Sequence, residues 1–90
     1  MKYIEIFAAR IRSLCRKRNL TINKLATISG LRQSTINNIM RGVAGSPRAD
    51  TLHKIANALN MTLAEFLDFD ELNNYSFDDE EDVTDGMTLE

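Results

Sequence analysis

The chain has one cysteine, one proline, one histidine and no tryptophan in 90 residues. A lone cysteine excludes an internal disulfide, and one cysteine with one histidine is too small a donor set for zinc. No apolar run approaches the about 18 residues that a membrane-crossing helix needs. The opening "MKYIEIFAAR" lacks the long uncharged core and small-residue cleavage site of a signal peptide. The expectation is therefore a cytoplasmic protein with no membrane partner. No nucleophile stands with a base, and "GVAGSP" lacks the lysine and hydroxyl of a phosphate-binding loop and follows no strand. Neither an enzyme, nor a cofactor, nor a metal site is expected.

Acids are scarce where bases are plentiful. Residues 1–67 hold all 11 Lys and Arg but only Glu5, Asp50 and Glu65, a surplus of eight positive charges. Residues 68–90 hold ten acids and no base. The net charge of -2 conceals this division. A basic body with a detached acidic segment points to a polyanion as the partner of the body.

Hydrophobic periodicity predicts an all-α fold of five helices. Ile4, Phe7, Ala8, Ile11, Leu14 and Cys15 mark one face of a helix from about Tyr3 to Arg18. The cluster Arg16, Lys17 and Arg18 is either a solvated, dipole-matched helix end or a phosphate patch. Thr21 is placed to cap a short second helix burying Ile22, Leu25, Ala26 and Ile28. Gly30 then supplies a sharp turn, since glycine takes the left-handed backbone conformation without steric cost. The third helix is "RQSTINNIM", residues 32–40, closed by Gly42. A loop with Pro47 leads to a fourth, whose core face is Leu52, Ile55, Ala56 and Leu59. In "MTLAEF", Thr62 and Glu65 form a capping box for the fifth, with Met61 and Phe66 spaced as a hydrophobic staple.

The chain divides into a folded domain over 1–67 and a flexible acidic tail over 68–90. "DFDELNNYSFDDEEDVTDGMTLE" crowds like charges around scattered Phe69, Leu72, Tyr75 and Phe77, too little apolar area to fold alone. Its first few residues can still dock on the body. Three roles stay open for it: a solubilising extension, an internal polyanion competing with nucleic acid, or a docking segment for a protein partner.

The third helix has an unusual outer face. Ile36, Ile39 and Met40 form its buried side, and Gln33, Ser34, Asn37 and Asn38 face outward with no acid among them. Asn and Ser are poor helix formers. Their use becomes intelligible if two short helices joined by a glycine turn form a helix-turn-helix, the second helix entering the major groove of DNA. An amide can give one hydrogen bond and accept another, as adenine's major-groove edge requires.

"LTINKLATISGLRQSTINNIMRG" followed by "SPRADTLHKIANALNMTLAEFL" resembles the Xre, or lambda-repressor-like (Cro-type), helix-turn-helix domains over roughly residues 5–67. The resemblance implies a compact five-helix domain and a DNA-binding transcriptional regulator, usually a repressor, paired as a homodimer on a palindromic site. It implies Gln33, Ser34, Asn37 and Asn38 as base readers, and Thr21, Arg32, Arg41, Ser46 and Arg48 as phosphate contacts. The competing expectation is an antitoxin-like adaptor whose acidic tail binds a protein.

Three positions depart from the family pattern. Ile22 stands where a glutamine often grips phosphate, and Arg32 replaces the Ser or Thr cap of the third helix. Cys15 and Met40 occupy the places of a common Arg and Glu pair. The last is read as a coordinated exchange of an ion pair for apolar packing, which predicts that Cys15 and Met40 touch.

Overall fold

The computed structural model describes residues 1–79, and the acids from Glu80 onward lie outside the described residues. The five expected helices are α1 (Tyr3–Lys17), α2 (Ile22–Ser29), α3 (Gln33–Met40), α4 (Ala49–Ala58) and α5 (Leu63–Leu67). A short α6 (Asp70–Asn73) and a 3-10 turn (Phe77–Asp79) follow, and no strand occurs among the described residues. Packing pairs α1 with α3, α2 with both α3 and α4, and α4 with α5. One apolar core results, centred on Phe7, Ile11, Leu25, Ile36, Ile55, Leu59 and Phe66.

Local chemistry sets the helix ends. Thr21 Oγ1 accepts from Lys24 N–H at 3.0 Å, as an N-cap should. Thr62 and Glu65 complete their reciprocal box at 3.0 and 2.8 Å. Met61, just before that cap, packs against the core that buries Phe66. At the other ends, α1 to α4 share one device. The residue after each last turn is left-handed: Asn19, Gly30, Gly42 and Asn60. In each case the following amide reaches back to a carbonyl of the last turn, as Leu20 does to Cys15 at 2.9 Å and Leu31 to Ala26 at 3.1 Å. These are Schellman closures, which satisfy carbonyls that the helix itself leaves open.

Two apolar positions differ from the periodic expectation. Ile28 is 46% exposed. Ser29, four residues after Leu25, takes the core side of the last turn of α2, and Ile28 lies a third of a turn off it. Ile6 is buried although it lies off the main stripe of α1. It is covered because packing continues past Leu67. Phe69 is only 9% exposed and belongs to the core, with Leu72 and Tyr75 packed against it. Tyr3 meets Phe7, Tyr75 and Phe77 with ring centroids 5.1 to 5.3 Å apart. The start of the acidic segment therefore docks along α1. Cys15 is 3% exposed, and Met40 packs half-buried against the same core at the α1–α3 junction.

Candidate nucleic-acid interface

The α2–turn–α3 unit is held by its own inner faces. Leu25 and Ala26 of α2 and Ile36 and Ile39 of α3 are buried. That leaves Gln33, Ser34, Asn37 and Asn38 all exposed on the outside of α3. The helix begins without a side-chain cap: Arg32 is in extended conformation, exposed, and its guanidinium cannot accept a hydrogen bond. Neither α2 nor α3 has an acid in its first turn, whereas α1, α4, α5 and α6 each do. The positive ends of the α2 and α3 dipoles are thus left uncompensated, a setting that favours an anion.

The outer amides are not independent. Gln33 Nε2 donates to Asn23 Oδ1 at 2.8 Å and to Asn37 Oδ1 at 3.1 Å. The first bond crosses from α3 to α2, so one network spans both helices of the motif. Asn23 is a member of this network that sequence reasoning missed. Its only local signal is an exposed position one residue after Ile22, and the bond depends on how the two helices cross.

The other expected phosphate contacts, Thr21, Arg41, Ser46 and Arg48, are all exposed. Thr21 starts α2, where its oxygen accepts from Lys24 and its hydroxyl proton remains for a partner. Arg41 is exposed at the carboxyl end of α3, and Ser46 is exposed in the following loop. Arg48 is exposed at the start of α4, where Nε lies 3.2 Å from Asp50 Oδ1. A pair so exposed is worth little, and a phosphate can compete for the guanidinium. Asn23 and Lys24 on α2 are likewise exposed, and Asn23 is bonded to Gln33.

Among the described residues no group of His, Cys, Asp and Glu is arranged to hold a metal ion, and no helix is long and apolar enough to cross a membrane. Cys15 lies inside the core, where desolvation raises its thiol pKa against a smaller opposing pull from Arg18. A neutral buried thiol is a packing group rather than a nucleophile.

The profile of the Cro/C1-type HTH DNA-binding domain matches residues 10–71. The chain belongs to that family. This Cro/C1-type domain is 40% identical over 58 residues to the HTH-type transcriptional repressor RghR of Bacillus subtilis (strain 168), covering 64% of this chain and 43% of that one. It is 32% identical over 66 residues to the SPbeta prophage-derived uncharacterized HTH-type transcriptional regulator YopS of the same strain, covering 73% and 89%. Among solved structures, the prophage Lp1 protein 11 superposes with a TM-score of 0.75 at 35% identity, over 82% of this chain and 99% of that one. An HTH_3 family transcriptional regulator from Vibrio cholerae gives 0.65 at 26% identity, over 80% and 38%. The chain spans about two fifths of RghR and of the uncharacterized HTH-type transcriptional regulator RghRB of the same strain, and most of YopS. The family's business is DNA binding, not catalysis.

Proposed function

We propose that this Cro/C1-type protein is a sequence-specific double-stranded DNA-binding transcriptional regulator, acting as a repressor in the cytoplasm. Helix α3 enters the major groove and presents Gln33, Ser34, Asn37 and Asn38 to base edges. Thr21, Arg32, Arg41, Ser46 and Arg48 contact the flanking phosphates, which supply affinity and register but no sequence choice. Two copies pair on a palindromic site with half-sites about one helical turn apart.

The observation that carries this reading is the acid-free polar face of α2 and α3 on a strongly basic body. A merely solvated helix face would favour Glu and Lys over Asn and Ser. The names of RghR as a repressor and YopS as a regulator point the same way. The competing reading is an adaptor in which the acidic segment recruits a protein. Of its three aromatic anchors, Phe69 and Tyr75 are taken up by the protein's own packing, and only Phe77 is well exposed.

The test is binding of the full chain to a site selected from random DNA, and to scrambled DNA, across a salt series. Preference for the selected site and a steep fall of affinity with salt are expected. Absence of salt-dependent binding to any DNA would end this reading.

A further inference from the structure

We infer that Asn23 is a positioning residue for base specificity, which fixes Gln33 as a hydrogen-bond acceptor toward DNA. The inference rests on the major-groove role of α3 proposed above. A glutamine amide has two N–H donors on Nε2 and one acceptor oxygen. Both donors of Gln33 have acceptors within the protein, Asn23 Oδ1 at 2.8 Å and Asn37 Oδ1 at 3.1 Å. Its Oε1 has no such commitment in the network and is the atom left to meet a base.

This alters what Gln33 can read. The two-bond fit to adenine needs one N–H for N7 and the oxygen for the N6 amino group. With both N–H groups engaged, Gln33 offers only an acceptor. Two bases present a donor in the major groove, adenine through N6 and cytosine through N4; guanine N7 and O6 and thymine O4 are acceptors. Gln33 in this network therefore accepts adenine or cytosine at its position and rejects guanine and thymine, which would face it acceptor to acceptor.

The same network leaves its other members their donors. Asn37 and Asn23 each accept one bond from Gln33 on their oxygens, and the network uses neither of their Nδ2 donors. Asn37 is thereby suited to guanine or thymine oxygens. Asn23, on the helix that crosses the backbone, is suited to a phosphate. Three amides that look interchangeable in the sequence thus differ: Gln33 is left with its acceptor, while Asn23 and Asn37 keep their donors.

The experiment selects bound sites from random DNA with the full chain and with three full-length variants: Gln33→Ala, Asn23→Leu and Asn23→Asp. The position at which Gln33→Ala flattens the base preference identifies the pair that Gln33 reads. At that position the parent protein is expected to take adenine and cytosine alike. Asn23→Leu frees one N–H of Gln33, so adenine should gain over cytosine by about tenfold, the low-to-middle range of one two-bond contact. Asn23→Asp keeps the acceptor and loses the Nδ2 donor, so it should retain the shared adenine and cytosine preference while weakening every site. A loss of helix packing would produce no change confined to one base position. The inference is overturned if the parent takes adenine alone there, or if Asn23→Leu weakens all sequences without changing the preference. Failure of the parent to select any sequence would instead overturn the DNA-reading role of α3.

Discussion

Arg10 of α1 ties down the end of α5. Its Nε donates to the Phe66 carbonyl at 3.0 Å and its Nη2 to the Glu65 carbonyl at 2.9 Å, across 56 residues of chain. The guanidinium also lies over the Phe69 ring, 5.0 Å from its centroid. A five-residue helix has hardly any intrinsic stability, so most of its order must come from such tertiary contacts. Arg10→Ala removes two charge-assisted bonds and the stacking contact, and should cost about 2 kcal/mol in urea unfolding. Arg10→Lys should recover less than half of that, because an ammonium cannot reproduce the two-pronged geometry. Full recovery by lysine would show that charge alone matters at this site.

The left-handed closures allow a test of backbone conformation apart from packing. A Cβ added at Gly30 would meet nothing within 4 Å, yet the residue has φ near 76°. Gly30→Ala should therefore destabilise by about 1–2 kcal/mol through the backbone alone. At Asn60, with φ near 60°, alanine should cost about 1 kcal/mol and glycine almost nothing. The measurement is the shift of the urea midpoint at unchanged slope. Equal effects of alanine and glycine at Asn60 would mean that the amide side chain, not its backbone, is what the turn requires.

Much of this architecture was legible because it rests on short-range physics. The box at Thr62 and Glu65, the cap at Thr21 and the turns at Gly30 and Gly42 each depend on residues a few positions apart. Asn19 and Asn60 perform the same service as those glycines, but Asn is common in many turn types and does not announce a left-handed one. That the first residues after Leu67 can dock was legible, but where Phe69 and Tyr75 dock was not, for a different reason. Their partners, Ile6, Arg10 and Tyr3, lie more than fifty residues away, and the surrounding acids hide the apolar signal. At the candidate site, residue types could be read from the helical stripe. The Asn23–Gln33 bond could not, since it follows from the crossing of two helices.

Cys15 provides a pH-dependent readout of the core. Burial raises its thiol pKa in the folded state, with Arg18 opposing to a lesser degree. The unfolded chain then releases the thiol proton first as pH rises. Stability from this group is full at neutral pH and declines above about pH 8.5, where the unfolded thiol ionises and the folded one does not. Cys15→Ala should flatten that alkaline decline while costing some stability at neutral pH. In the native protein, alkylation should run far slower than for a free thiol and rise to the free rate in denaturant. Rapid native alkylation would contradict the burial of Cys15.

Cys15 is buried in the core, and Met40 packs half-buried against the same core. Cys15→Arg alone introduces a poorly solvated cation and should cost about 3 kcal/mol, the lower end expected for an unpaired buried charge. Met40→Glu should cost less, since Met40 is only half-buried. If the side chains adjoin, the double variant should recover about 1–2 kcal/mol of the summed losses, as interacting neighbours do. Strict additivity would refute the contact.

Five consecutive acids run from Asp78 to Asp82, beginning immediately after Phe77. Phe77 packs on Tyr3 and Tyr75, and with them lines a groove of about 960 Å³ whose other wall is the Gly42–Ser46 loop. That loop follows α3, on the margin proposed to meet phosphate. If the acids that follow Phe77 in the sequence act as an internal polyanion, they oppose the phosphate attraction of the basic body more than the base-edge contacts. Changing the five to Asn and Gln in the full chain should tighten binding to random DNA about three- to tenfold at low salt, an effect that fades as the screening length falls below ~5 Å. The ratio of specific to random affinity should fall by less. Charge replacement is the proper comparison, because cutting the chain after Leu67 also removes Phe69 from the core, a loss of about 3 kcal/mol in its own right. Unchanged binding to random DNA would leave the acids as a solubilising extension and detach them from DNA recognition.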